Sequence, residues 1–160
     1  MPERPHLPAA RALCGLLASL ALGTTLADDG RRVAVPPMPK YRQECAACHL
    51  AYPPGLLPAP SWQRVMNNLP RHYGADASLD PPTVGELTAW LTANAGTYKR
   101  LSGAPPQDRI SLSPWFIRKH DEVVAATWKL PAVKSAANCT ACHAQAEQGD
   151  FNERTVRIPR

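Results

Sequence analysis

Apolar residues recur at helical spacing in three stretches of this chain, and each stretch opens on a helix-start signal. Trp62, Val65, Met66 and Leu69 share one face of a segment for which Ser61 is a candidate N-cap. Continuing that phase puts His72 on the same face, although Pro70 must bend or break the turn before it, and Gly74 closes the segment. Val84, Leu87, Trp90 and Leu91 form the stripe of a second helix, predicted from Thr83 to about Ala95. There Thr83 and Glu86 supply a capping box, and Gly96 suits the end. A third helix begins at Ser113-Pro114 and carries Phe116, His120, Val123, Val124 and Thr127 on one face. Arg118, Lys119, Asp121 and Glu122 lie off that face. No stretch alternates in the manner of a strand-rich protein, so the expected class is mainly α. The tail from Asp150 to Arg160 reads as extended, with Phe151, Val156 and Ile158 placed to pack across a domain.

The first 27 residues follow a different pattern. Arg4 and Arg11 precede an apolar run from Ala12 to Leu26, too short to span a bilayer comfortably, and Thr25-Leu26-Ala27 offers small residues for cleavage. Residues 1–27 therefore read as an export signal rather than a membrane anchor. Cys14 precedes most of the apolar run, which argues against a lipoprotein. Cleavage leaves 133 residues from Asp28 with a net charge of +4, and no later stretch is apolar enough to cross a membrane.

Composition adds a constraint. Proline numbers 18 in 160 residues, roughly twice the usual share of about 5%, so much of the chain is loop and turn. A short, loop-rich chain with 6% aromatics builds little apolar core and needs a staple. An exported protein of this composition gives no indication of nucleic-acid binding.

The cysteines supply the staple. Cys14 and His6 leave with the signal. What remains is Cys45-Ala46-Ala47-Cys48-His49 and Cys139-Thr140-Ala141-Cys142-His143. Cys-x-x-Cys-His is the attachment pattern for c-type haem. Two thiols add across the two vinyl groups of one porphyrin, and the next residue turns its imidazole to the iron. Two disulfides would leave both trailing histidines unexplained. One zinc site could draw on the same thiolates and imidazoles. A thioredoxin-like dithiol requires a βαβ setting that the pattern does not supply. Two copies of the motif behind an export signal favour two covalently bound haem c groups, because such haem is attached outside the bacterial cytoplasm.

With His49 and His143 as proximal ligands, His72 and His120 remain, one for each iron. Both are candidate distal ligands on apolar faces. Met66, beside His72, and Met38, just before the first motif, are the rivals. No methionine follows Met66, so the second iron can take one only by borrowing it from the first half. A His/Met pair would raise the reduction potential relative to two histidines.

The chain after the signal is expected to divide into a first haem domain, 28–103, and a second, 104–160, with Ser102–Gln107 as linker. The first carries its distal candidate after the motif and the second before it, so this is no simple tandem repeat. Tyr52–Pro60, with four prolines, reads as an ordered apolar loop that covers a porphyrin edge. Each haem is expected to form the centre of its half's core.

The segments Glu44–Trp62, Asn67–Asp80, Arg118–Val123 and Asn138–His143, with Ala144 and Ala146, resemble the exported dihaem cytochrome c family of bacteria. The resemblance implies two mainly helical domains, each built around one haem with two histidine ligands. Those are Cys45, Cys48, His49 and His72 for the first haem, and Cys139, Cys142, His143 and His120 for the second. It also implies a periplasmic electron carrier whose redox partners are an oxygen-binding monohaem cytochrome and a membrane cytochrome b. The contrasting reading is a haem enzyme or sensor in which one distal histidine dissociates to open an iron site. Lys99-Arg100 and Arg118-Lys119 are the candidate basic patches for an acidic partner.

Overall fold

The computed structural model describes Met1, residues 32–98, Leu101 and residues 103–160. The expected export signal, with His6 and Cys14, lies outside the described residues, as do Lys99, Arg100 and Ser102. Among the described residues four helices form the framework: α1 (Pro39–Cys45), α2 (Ala59–Met66), α3 (Pro81–Ala93) and α4 (Pro114–Lys119), joined by loops and three-residue 3₁₀ turns. Among the described residues there is no strand, only an isolated bridge between His72 and Ala75. The mainly helical class holds. All four helices carry proline in their first turn, where its fixed φ suits the helix and its missing N–H costs nothing. Pro39, Pro60, Pro81, Pro82 and Pro114, five of the 18 prolines, thus start helices.

Three local expectations need correction. Ser61 is not the N-cap of α2. The helix begins three residues earlier, at Ala59, because Pro58 and Pro60 already set the backbone for its first turn, and Ser61 lies fully buried within it. Thr83 and Glu86 do not form a capping box. Asp80 caps α3, accepting a hydrogen bond from the Thr83 amide at 3.0 Å, while Glu86 pairs with Lys40 of α1. The third helix starts as expected, with Ser113 Oγ accepting from the Phe116 amide, but stops at Lys119. Beyond it the amides of His120 and Val123 reach only three residues back, and Val124 is 66% exposed. Val123 is only half-buried and Val124 points to solvent, although Thr127 is buried, so further helical turns would have had little continuous packing to support them.

The hydrophobic core joins α1, α2 and α3 through Tyr41, Leu57, Trp62, Met66, Leu69, Leu87 and Leu91. Trp62 Nε1 donates to the Pro54 carbonyl at 2.8 Å and ties the proline-rich loop to this core. Gly96 is a packing position rather than a helix end. Its amide donates to Leu57 O, and a Cβ there would stand 2.5 Å from Gly55 O. Past residue 103 the described buried hydrophobic side chains are Phe116, Val133 and Ala146. That half is mostly single turns. The segment before α1 lies against it, with the Val33 amide donating to Gly149 O at 2.9 Å and Arg32 paired with Asp150. The tail reaches the second cysteine motif, where the Arg157 amide donates to Cys142 O.

Arg64 of α2 clamps Asp108 with two hydrogen bonds, from Nε at 2.9 Å and Nη2 at 2.6 Å. These bonds hold the Asp108 carboxyl below its ordinary value. A carboxyl that is more acidic folded than unfolded stabilises the fold above its unfolded pKa of about 3.9. That contribution is lost as pH falls through the folded value. The thermal midpoint is expected to drop below about pH 4, and Asp108→Asn should remove part of that drop. Arg64 is half-exposed, so the effect is modest. Equal acid sensitivity in the two proteins would refute the assignment.

Candidate cofactor sites

Each Cys-x-x-Cys-His motif sits where regular structure ends. The first straddles the end of α1, with Cys45 as its last residue and His49 in the following turn. The second begins on the 3₁₀ turn Cys139–Ala141, and the His143 amide closes back onto Cys139 O at 2.8 Å. Cys45, Cys48, Cys139 and Cys142 form no disulfide with one another. Burial pushes Cys45 and Cys139 up to about 11, and Cys142 in the same direction.

The histidines come in two facing pairs. His72, delivered by the turn Leu69–Arg71, faces His49 with ring centres 6.0 Å apart and planes inclined by 20°. His120, which closes α4, faces His143 at 6.1 Å with planes at 79°. An iron between two imidazole nitrogens, with bonds of about 2.0 Å each, places the ring centres roughly 6 Å apart. Both pairs fit one metal ion between two imidazoles.

Hydrogen bonds to the outer nitrogens agree. His49 Nδ1 donates to Leu50 O at 2.7 Å and His120 Nδ1 to Phe116 O at 2.8 Å, which leaves Nε2 of each ring free to ligate. His143 Nδ1 is buried without a hydrogen-bond partner. Burial, then His49 and Arg109, hold His72 below the ordinary histidine value, and burial and His120 do the same for His143 against the opposing Asp150. Both shifts favour the neutral ring, the form that binds metal.

Among the described residues no group of three or more His, Cys, Asp or Glu converges, so one four-ligand zinc site shared by both motifs is not assembled. The methionine rivals are engaged elsewhere. Met66 is buried in the core and Met38 packs against it. Of the basic candidates, Arg118 is exposed, and Lys119 pairs with Glu153.

The sequence reading missed the aromatic collar. Tyr52 stacks on His49 at 4.9 Å, and Tyr73 meets His72 edge-on at 4.9 Å. Phe116 stacks on His120 at 3.9 Å, and Phe151 meets His143 edge-on at 5.4 Å. Three of the four lie within four residues of their histidine, a spacing that was available to find them. Arg109 lies over the Tyr73 ring at 4.3 Å, bringing a cation from beyond the expected linker to the first site.

A dihaem cytochrome c family model matches residues 41–151. A diheme cytochrome type c from Shewanella baltica OS155 is similar in structure, with a TM-score of 0.68 and 40% identity, over 76% of this chain and 92% of that one. DHC from Rhodobacter sphaeroides gives 0.62 and 46%, over 74% of this chain and all of that one. A second structure of a diheme cytochrome c from the same organism gives 0.65 and 46%, over 73% and 98%. No match was found among curated protein sequences.

Proposed function

The chain belongs to the dihaem cytochrome c family, with two haem c groups as its cofactors, and from that premise we propose that it is a one-electron carrier of the periplasm with two histidine ligands on each iron. A bound haem supplies reversible one-electron oxidation and reduction. Cys45 and Cys48 would hold the first haem and Cys139 and Cys142 the second. His49 with His72, and His143 with His120, would hold the two irons. The observation that carries this reading is the spacing of the two imidazole pairs, 6.0 and 6.1 Å. Held by two imidazoles each, the irons would offer no place for oxygen, peroxide or nitrite, and the role left would be electron transfer between partners rather than catalysis.

The chain's own residues would orient the imidazoles through the Leu50 and Phe116 carbonyls and shield them with the aromatic collar. Removal of residues 1–27 on export would put the protein where its haems are attached. Among the described residues no helix is long and apolar enough to cross a membrane. Redox proteins are the partners proposed, an oxygen-binding monohaem cytochrome and a membrane cytochrome b among them.

Carbon monoxide added to the reduced holoprotein tests the reading. No fast binding is expected, and full, rapid binding would overturn it. The oxidised protein should also show two distinct low-spin paramagnetic resonance signals, because near-parallel and near-perpendicular imidazole planes split the iron orbitals differently.

A further inference from the structure

Tyr52 touches both candidate sites. Its ring lies on the proximal-ligand candidate His49, with centres 4.9 Å apart and planes inclined by 27°. Its hydroxyl donates to the carbonyl of Ala137 at 2.6 Å, 85 positions further along the chain. The Cys139 amide donates to that same carbonyl at 3.1 Å. One side chain therefore runs from the imidazole of the first motif to the peptide that sets the first cysteine of the second. Its backbone is held as well, since Tyr41 Oη donates to Tyr52 O at 2.9 Å. Burial, then the nearness of Cys139, raises the phenol above its ordinary range, so it stays a donor.

The other described contacts between the halves do not join the two motifs in this way. Val33 and Gly149 meet through backbone, and Arg42 and Glu147 form an exposed pair at 3.8 Å. Tyr73, the aromatic neighbour of His72, donates to the Gln107 and Asp108 carbonyls, remote in sequence from Cys139.

We propose that Tyr52 is a positioning residue that couples the two haem sites, fixing the His49 ring plane and the Cys139 peptide through one rigid aromatic strut. The proposal rests on the reading of His49 and Cys139 as haem-site residues. A change in ring tilt at one site is then transmitted to the other through the 2.6 Å hydrogen bond. Tyr52→Phe keeps the stack and removes only that bond.

The test is paramagnetic resonance of the oxidised holoprotein, with each signal assigned by its alteration in His72→Met and His120→Met. In Tyr52→Phe both low-spin signals are expected to shift while circular dichroism stays unchanged. In Tyr73→Phe only the first site's signal should shift. A Tyr52→Phe change confined to one site, or no change, overturns the coupling. If His72→Met and His120→Met each leave the spectrum unaltered, the ligand assignment fails, and the coupling proposal falls with it.

Discussion

Replacing Cys139 and Cys142 together by alanine is expected to unfold residues 104–160 while leaving α2 and α3 packed. The asymmetry follows from where the apolar mass lies. The core cluster runs from Tyr41 to Leu91 and draws on three helices. Past residue 103 the described buried hydrophobic side chains are only Phe116, Val133 and Ala146, in a half whose one α-helix has six residues. Ordering each residue costs about 1–2 kcal/mol of backbone entropy, and three small burials do not offset that over a whole half. A covalent haem adds apolar surface and two cross-links in that place, as metals do for small domains that fold on binding. Cys45→Ala/Cys48→Ala is the opposite case, since Trp62, Leu87 and Leu91 still bury one another. Amide exchange separates the outcomes. The Cys139/Cys142 variant should lose protection at Val133 and along 110–150, and keep it in α3. Retained protection at Val133 would mean that the second half folds without its haem.

The cofactor chemistry was legible in the sequence, because thioether attachment needs cysteines and histidine in a strict local order that no neighbour can alter. Apolar periodicity singled out His72 and His120 as candidates, and the structure sets each about 6 Å, ring centre to ring centre, from a motif histidine by different means. Neither rides on the long helix that the periodicity implied. His72 follows a 3₁₀ turn after Pro70, and His120 closes a helix that ends at once. Local caps were misread where proline intervened. Pro58, Pro60, Pro81 and Pro82 move the helix starts upstream, so Ser61 becomes core and Asp80 takes the cap from Thr83. The bonds from Tyr52 to Ala137, from Arg64 to Asp108 and from Val33 to Gly149 could not have been read from the sequence. Each joins positions more than 40 residues apart, where spacing carries no information.

His72→Ala and His120→Ala should each turn one closed iron into one that binds a single carbon monoxide per chain, at different rates. His72 lines an open surface groove of about 380 Å³ with Arg71 and Tyr73, beside Tyr73 and Gly74 at positive φ. Removing its ring exposes that iron position directly to solvent. His120 is held otherwise: Phe116 stacks on it at 3.9 Å, its carbonyl accepts from Nδ1, and Trp128 lies 5.9 Å away. Its removal leaves a pocket still walled by two aromatic rings, so the ligand must pass between them. Carbon monoxide should therefore bind His72→Ala faster than His120→Ala, with the wild type far slower than either. On the same contrast, the His72 site is the one expected to open if the protein acted as a sensor or enzyme, since its ring lines a surface groove. A His72→Ala protein that stays six-coordinate and low-spin would show another side chain, Met66 foremost, on the first iron. That result would cost the first haem its second histidine and leave the His120–His143 pair unaffected.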